Sequence, residues 1–203
     1  MFLTRMALDM TRRDTVELVA SPARLNLAIR SAFAGGNLQP LFRLDDIGTR
    51  KWVVVLSMLR PSLHAMHERY GYLGVFPSWE TFDYDETLEE AQNGTTWRFE
   101  LCASPQGPVP EADIAWLDET RLIRWLRAQG DSCGFEAGNL HLMHREWLDL
   151  DDEGWLLLTR WRGSLRVTHD ELFRRASVTG IGSGQDWGSG LMTLSRAATW
   201  WAD

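Results

Sequence analysis

Eleven residues near the C-terminus, Gly180-Ile181-Gly182-Ser183-Gly184-Gln185-Asp186-Trp187-Gly188-Ser189-Gly190, hold five glycines and run into the apolar Leu191-Met192-Thr193-Leu194. Glycines at this density mark backbone that turns sharply and lets something approach closely, and phosphate is the usual occupant of such a loop. No Gly-Lys-Ser/Thr ending is present, which excludes a Walker A loop. The run precedes its strand, which excludes a dinucleotide fingerprint. Histidine is the other residue type able to do chemistry near neutral pH. His64 and His67 stand three apart on a predicted helix, and His141 and His144 on a predicted strand are expected to face opposite ways. Neither pair has Cys or Glu at ligand spacing, so no metal site is predicted and the four read as ordinary surface or half-buried histidines. His169, beside Asp170, reads as a residue of a helix-capping region. Among the 11 tryptophans, Trp52, Trp97, Trp116, Trp125 and Trp161 fall within strand or helix periodicity and are assigned to the core. Trp79 and Trp187 are the two weighed as contact residues.

The elements that must carry these residues follow from periodicity and punctuation. Leu3 to Asp9 reads as a strand and Thr11 to Val19 as a polar connection. Ser21-Pro22 opens a helix, with Ser as N-cap and Pro in the first turn. Leu25, Ile29, Ala32 and Phe33 form its buried stripe, and Gly35-Gly36 ends it. Strands over Leu41 to Leu44 and Trp52 to Leu59 are followed by a helix over Ser62 to Arg69, an irregular acidic segment through Glu90, and a strand over Thr95 to Ala103. That order is β-α-β-β-α-β, the ferredoxin-like arrangement. Beyond the linker-like Ser104-Pro105-Gln106-Gly107-Pro108-Val109-Pro110 the pattern resumes: a helix over Ile114 to Ala128, strands over Leu140 to Trp147 and Trp155 to Val167, a helix over Asp170 to Ser177 and a strand over Leu191 to Leu194. The expected architecture is α+β, two tandem ferredoxin-like domains over 1–104 and 111–203 with 105–110 as the linker.

A chain of 203 residues, 44% hydrophobic and 24% charged, has enough apolar content for two small cores. Two cysteines, Cys102 and Cys133, provide at most one disulfide and are read as buried thiols of a reducing compartment. No apolar stretch approaches the roughly 18 residues of a membrane span, and a cytoplasmic protein without membrane partners is expected. A formal net charge of −7 excludes a sequence-blind nucleic-acid binder. Lys51 is the single lysine, so the positive charge is almost all arginine, which grips phosphate bidentately and stacks on bases. Arg5, Arg12, Arg13, Arg24 and Arg30 outnumber Asp9, Asp14 and Glu17 in the first thirty residues, which predicts a local basic face.

Several segments together resemble the CasE family of CRISPR repeat-processing RNA endonucleases of type I-E Cascade. Gly180, Gly182, Gly188, Gly190 and Leu191 fill that family's Gly-x-Gly-x-x-x-x-x-Gly-x-Gly-Leu-Leu pattern, with Met192 in the last position. Met1 to Leu8 resembles its first strand and Ser21 to Leu27 the start of its first helix. Trp97 to Pro105 resembles its Arg-Phe-Arg-Leu-Arg-Ala-Asn-Pro strand, and Gly163 to Thr168 the Gly-x-Leu-x-Val strand before the last helix. The resemblance implies a metal-independent, cofactor-free site on the first helix, where a histidine and a tyrosine three residues before it flank the scissile phosphate. Aligned on Ser21-Pro22, those positions are Asn26 and Ala23, so the proton-handling pair is absent. Ala23, Asn26 and Arg30 share one face at i, i+3 and i+7, opposite the Leu25-Ile29-Phe33 stripe.

Two further departures touch RNA-handling positions. Ser183-Gly184-Gln185-Asp186-Trp187 lacks the lysine the family usually carries there, and Gln106-Gly107-Pro108 is uncharged where the family has a basic segment. The resemblance therefore implies a cleavage-deficient subunit that binds a CRISPR RNA hairpin beside other Cascade subunits. Arg24, Asn26, Arg30, Gly182, Gly184, Gln185 and Gly188 are its expected RNA contacts. Two rival readings are a protein-interaction module that docks on or mimics a Cascade subunit, and an active endoribonuclease in which Asn26 is an engineered replacement for histidine.

Overall fold

A computed structural model describes residues 1–34, 38–73, 79–115 and 117–196. The chain divides into two units, Met1–Asp85 with Asp186–Gly188, and Glu86–Gln185 with the described chain from Ser189 onward.

In the first unit, β1 (Phe2–Leu8), β2 (Leu41–Ile47), β3 (Arg50–Ser57) and β4 (Trp79–Asp83) form an antiparallel sheet in the order β2-β3-β1-β4. Gly48, at φ 60°, makes the two-residue turn that sets Ile47 opposite Arg50. Period-two alternation sends Met6, Leu8, Phe42, Val53 and Val55 to one face. Leu25 and Ile29 of α2 (Pro22–Arg30) and Met66 of α3 (His64–Tyr70) close that core. The opposite face is buried too, and there Arg43 Nε donates to both carboxylate oxygens of Asp45 at 2.9 and 3.0 Å.

Residues expected as a polar connection form α1 (Arg13–Val19). Its start is tied to α3 by Arg12, whose Nη1 donates to the carbonyls of Glu68 and Arg69 at 2.9 and 3.1 Å. Long-range bonds of this kind override weak local propensity. The acidic segment, expected to be irregular, holds β4 and a short helix α4 (Asp85–Glu90). The Gly35-Gly36 stop lies outside the described residues.

The second unit repeats the plan with β5 (Thr96–Ala103), α5 (Glu119–Cys133), β6 (Phe135–Asp149), β7 (Trp155–Val167), α6 (Asp170–Thr179) and β8 (Met192–Ser195), in the order β6-β7-β5-β8. Substituting first, second, third and fourth strand gives the same 2-3-1-4 order in both sheets, so each unit is ferredoxin-like. The expected boundary at 104–105 is corrected here: β5 pairs with β7 and β8, so it opens the second sheet and does not close the first. The Ser104 to Pro110 segment thus runs within the second unit, and β4 supplies the first unit's fourth strand. α5 starts later than expected, at an Asp118 cap that accepts from the Arg121 amide at 2.8 Å, and ends at Gly134 in the left-handed region. Trp116 lies outside the described residues. Trp161 is fully buried, its indole N–H donating to Thr159 Oγ1 at 2.9 Å, while the Phe135 and Phe173 rings meet edge to face at 5.9 Å.

Candidate nucleic-acid interface

Helix α2 is built as its sequence dictates. Ser21 Oγ accepts from the Arg24 amide at 3.4 Å, Pro22 takes the first helical position, and Leu25 and Ile29 turn inward. This leaves Ala23 and Arg24 exposed, with Asn26 and Arg30 half-buried. Asn26 Nδ2 donates to Asp186 Oδ1 at 3.4 Å, and Gln39 Nε2 donates to the same oxygen. Two positions singled out from the sequence, Asn26 and Asp186, are therefore brought together within the first unit across 160 residues of chain. Gln39, in the approach to β2, carried no sequence signal, because an isolated exposed glutamine in a loop matches no motif.

The glycine loop has a strict backbone requirement. Gly180, Gly182, Gly184, Gly188 and Gly190 all have φ between 82° and 92°, where an L side chain is strained. Their close approaches are to the protein itself. A Cβ at Gly182 would run into the Ser104 carbonyl, one at Gly184 would lie 2.7 Å from the Leu156 side chain, and one at Gly188 3.2 Å from the Phe42 ring. Four loop amides are also spent internally: Ile181 on Gly190, Ser183 on Ser104, Ser189 on Gly184 and Gly190 on Cys102, at 2.7 to 3.3 Å. Ser189 Oγ accepts from the Ser104 amide at 2.8 Å, and Gln185 Nε2 donates to the Gly182 carbonyl at 2.9 Å. Gly182, Gly184, Gln185 and Gly188 thus shape the loop, which turns the Asp186 carboxylate toward Asn26.

Charge in the first unit is closely matched. Arg5 pairs with Glu80, Arg12 with Asp9, Arg13 and Arg24 with Glu17, and Arg69 with Asp14. Within the first thirty residues Arg12, Arg13 and Arg24 are thus matched by Asp9 and Glu17 of the same stretch and Arg5 by Glu80 of β4, and the side chain of Arg24 remains 65% exposed with its pair at 3.7 Å. The Thr11 hydroxyl, above all, together with the Thr11 amide and Arg12, holds the Asp9 carboxyl below its ordinary pKa against a partial desolvation penalty. Glu17 raises the Arg13 guanidinium further.

The histidines are placed differently from expectation in one pair. His141 pairs with Arg162 and His144 with Arg160, because a bulge intervenes between Leu142 and His144. Arg160 and Arg162 are two apart, so both histidines share one face and do not point to opposite sides. His64 and His67 instead pack on Trp79, at ring distances of 4.9 and 5.1 Å, which gives Trp79 a packing role. Among the described residues no three His, Cys, Asp or Glu side chains gather as metal ligands would. No described helix is long and apolar enough to cross a membrane.

Paired ferredoxin-like units define a class of fold to which known proteins also conform. The family of CRISPR associated proteins matches residues 1–196, and the chain belongs to that family. Its fold is that of Cse3 of Thermus thermophilus bound to an RNA representing a pre-cleavage complex, at 20% identity and a TM-score of 0.79, with 96% of this chain and 98% of that chain covered. Cas6e from Escherichia coli str. K-12 superimposes with a TM-score of 0.65 at 16% identity, covering 96% and 99% of the two chains. A chain of a CRISPR RNA-guided surveillance complex gives 0.62 at 18% identity, with 96% and 99% covered. At these identities the likeness is one of fold. No curated protein matches by sequence.

Proposed function

We propose that this protein binds the hairpin of a CRISPR RNA as a cytoplasmic subunit of a Cascade-type effector complex and does not cut it. The observation that carries the reading is the Asn26 to Asp186 hydrogen bond on the exposed side of α2. Metal-free RNA cleavage through the 2′-hydroxyl needs a group that moves a proton near neutral pH, and an amide hydrogen-bonded to a carboxylate moves none. Support for RNA as the ligand comes from family membership and from the fold shared with Cse3 chains solved with RNA. Arg24 and Arg30 supply the cationic contacts, and the glycine loop holds the Asn26 partner in place.

The test is single-turnover incubation of the purified protein with its cognate repeat hairpin, with and without divalent metal, while affinity is followed in parallel. Binding without product is expected. Arg24→Glu with Arg30→Glu should weaken binding and flatten its salt dependence by roughly one unit of slope for each phosphate no longer neutralised. Rapid cleavage abolished by Asn26→Ala would overturn the proposal. A docking role on an effector protein is favoured by two other observations, the formal charge of −7 and the arginines spent on internal ion pairs. That role predicts co-purification with effector subunits that ignores the arginine substitutions.

A further inference from the structure

Two amide donors converging on one carboxylate oxygen is an arrangement that serves an anion. Asn26 Nδ2 and Gln39 Nε2 both donate to Asp186 Oδ1, from α2 and from the segment before β2 respectively. Neither donor is charged, and an amide N–H makes no distinction between a carboxylate oxygen and a non-bridging phosphate oxygen. Asp186 reaches the pair from a short turn of one residue on either side, Gln185 to Trp187, between Gly184 at φ 82° and Gly188 at φ 86°. The carboxylate is half-buried and the Gln39 side chain exposed, so the seat opens to solvent.

We propose that Asn26 and Gln39 form a two-amide oxyanion seat, and that Asp186 occupies it as an internal stand-in for a phosphate. The seat's external ligand is a phosphodiester oxygen of the RNA, which rests on the functional reading above, and the same chemistry would admit inorganic phosphate. Self-occupancy sets a threshold for binding. A ligand must displace the Asp186 carboxylate from both donors and then tolerate its negative charge nearby. Weak or non-cognate RNA fails to do so, while a hairpin anchored elsewhere on the surface supplies the difference. The glycine framework around Asp186 is what holds the carboxylate in reach in the absence of ligand.

Three variants, and a combination of two of them, test this in the full chain. Asp186→Asn removes the charge but keeps an oxygen in the seat, Asp186→Ala removes both, and Asn26→Ala with Gln39→Ala removes the seat. Hairpin affinity at low salt should rise in Asp186→Asn by about fourfold, the effect of deleting one like charge roughly 5 Å from a phosphate at a water-like dielectric. Asp186→Ala, which also empties the seat, should gain more. Adding Asn26→Ala and Gln39→Ala to Asp186→Ala should cancel the part of the gain that exceeds Asp186→Asn, whereas the same pair in the native background should change affinity little. In parallel, inorganic phosphate is titrated while the side-chain amide resonances of Asn26 and Gln39 are followed by NMR. They should move in Asp186→Ala and stay still in the native protein. Resonances that move while no variant binds the hairpin would establish a free-phosphate seat and remove the RNA reading. Hairpin binding that is equal in all variants, with still resonances in Asp186→Ala, would overturn the seat and leave the RNA reading standing.

Discussion

Replacing Gly182 by alanine separates a glycine kept open for a ligand from one kept open for the protein. Gly182 has φ 84°, and a left-handed backbone costs an L-residue about 1–2 kcal/mol. The added Cβ also runs into the Ser104 carbonyl, which accepts from the Ser183 amide at 3.0 Å, and lies 3.1 Å from the Trp125 ring. Relieving the overlap means moving backbone, because both the carbonyl and the glycine are held in the Ser104 to Ser183 bridge. Losing that hydrogen bond adds about 1 kcal/mol, for a total of about 2–3 kcal/mol. In a chain of 203 residues this lowers the melting temperature by roughly 4–12 °C. The assay pairs thermal unfolding by circular dichroism with hairpin affinity measured well below the melting range. Lowered stability with affinity kept within about twofold is expected. Unchanged stability with affinity reduced more than about tenfold would refute the reasoning, since the space beside Gly182 would then belong to the RNA.

Asp45→Ala leaves the buried Arg43 guanidinium without its carboxylate and should cost on the order of 3 kcal/mol in urea unfolding, with Arg43→Met/Asp45→Val recovering much of the loss. A single mutant as stable as the native protein would show that other groups carry the Arg43 charge. Burial pushes the Cys133 thiol up, against a weaker opposing contact from the Ser132 hydroxyl at 3.9 Å. Alkylation of Cys133 by iodoacetamide at pH 8 should therefore be slower than that of a free cysteine and should accelerate as pH climbs through the raised value. A rate equal to that of a free thiol would contradict this.

Local chemistry was legible wherever it was self-contained. The Ser21-Pro22 start of α2, its Leu25 and Ile29 stripe and the positive-φ glycines of the loop each follow from a residue's own backbone preferences. Strand order was not. Thr96 to Ala103 reads as a strand in either sheet, and only its pairing with β7 and β8 assigns it to the second, a non-local fact absent from its own pattern. β4 escaped because an edge strand carrying Glu80 and Asp83 lacks the apolar alternation of a half-buried one. In the site, Asn26 and Asp186 were each conspicuous as departures from a motif. That they answer one another could not be read from two segments 160 residues apart.

Strand β6 behaves like a message read in two frames. Its register against β7 slips by one residue between Ala137 and Leu140 and again between Leu142 and His144. Odd-numbered Phe135 and Ala137 face the core, then even-numbered Leu140 and Leu142, then odd-numbered Trp147. Two slips of the same sense add up to two residues, which inverts the middle of the strand and restores parity beyond it, so the displaced centre carries His141 outward while both flanks keep the parity of an unbroken strand. Loss of Met143, the residue the register skips at the second slip, would erase that bulge and keep every pairing beyond it, with His144 opposite Arg160 and Trp147 opposite Leu157. Loss of a paired residue such as Glu146 would instead put Trp147 out of phase and carry its indole to the outer face. In this chain the spacing within a strand is therefore as selective as its composition, and β6 accepts a change in length only at its slips.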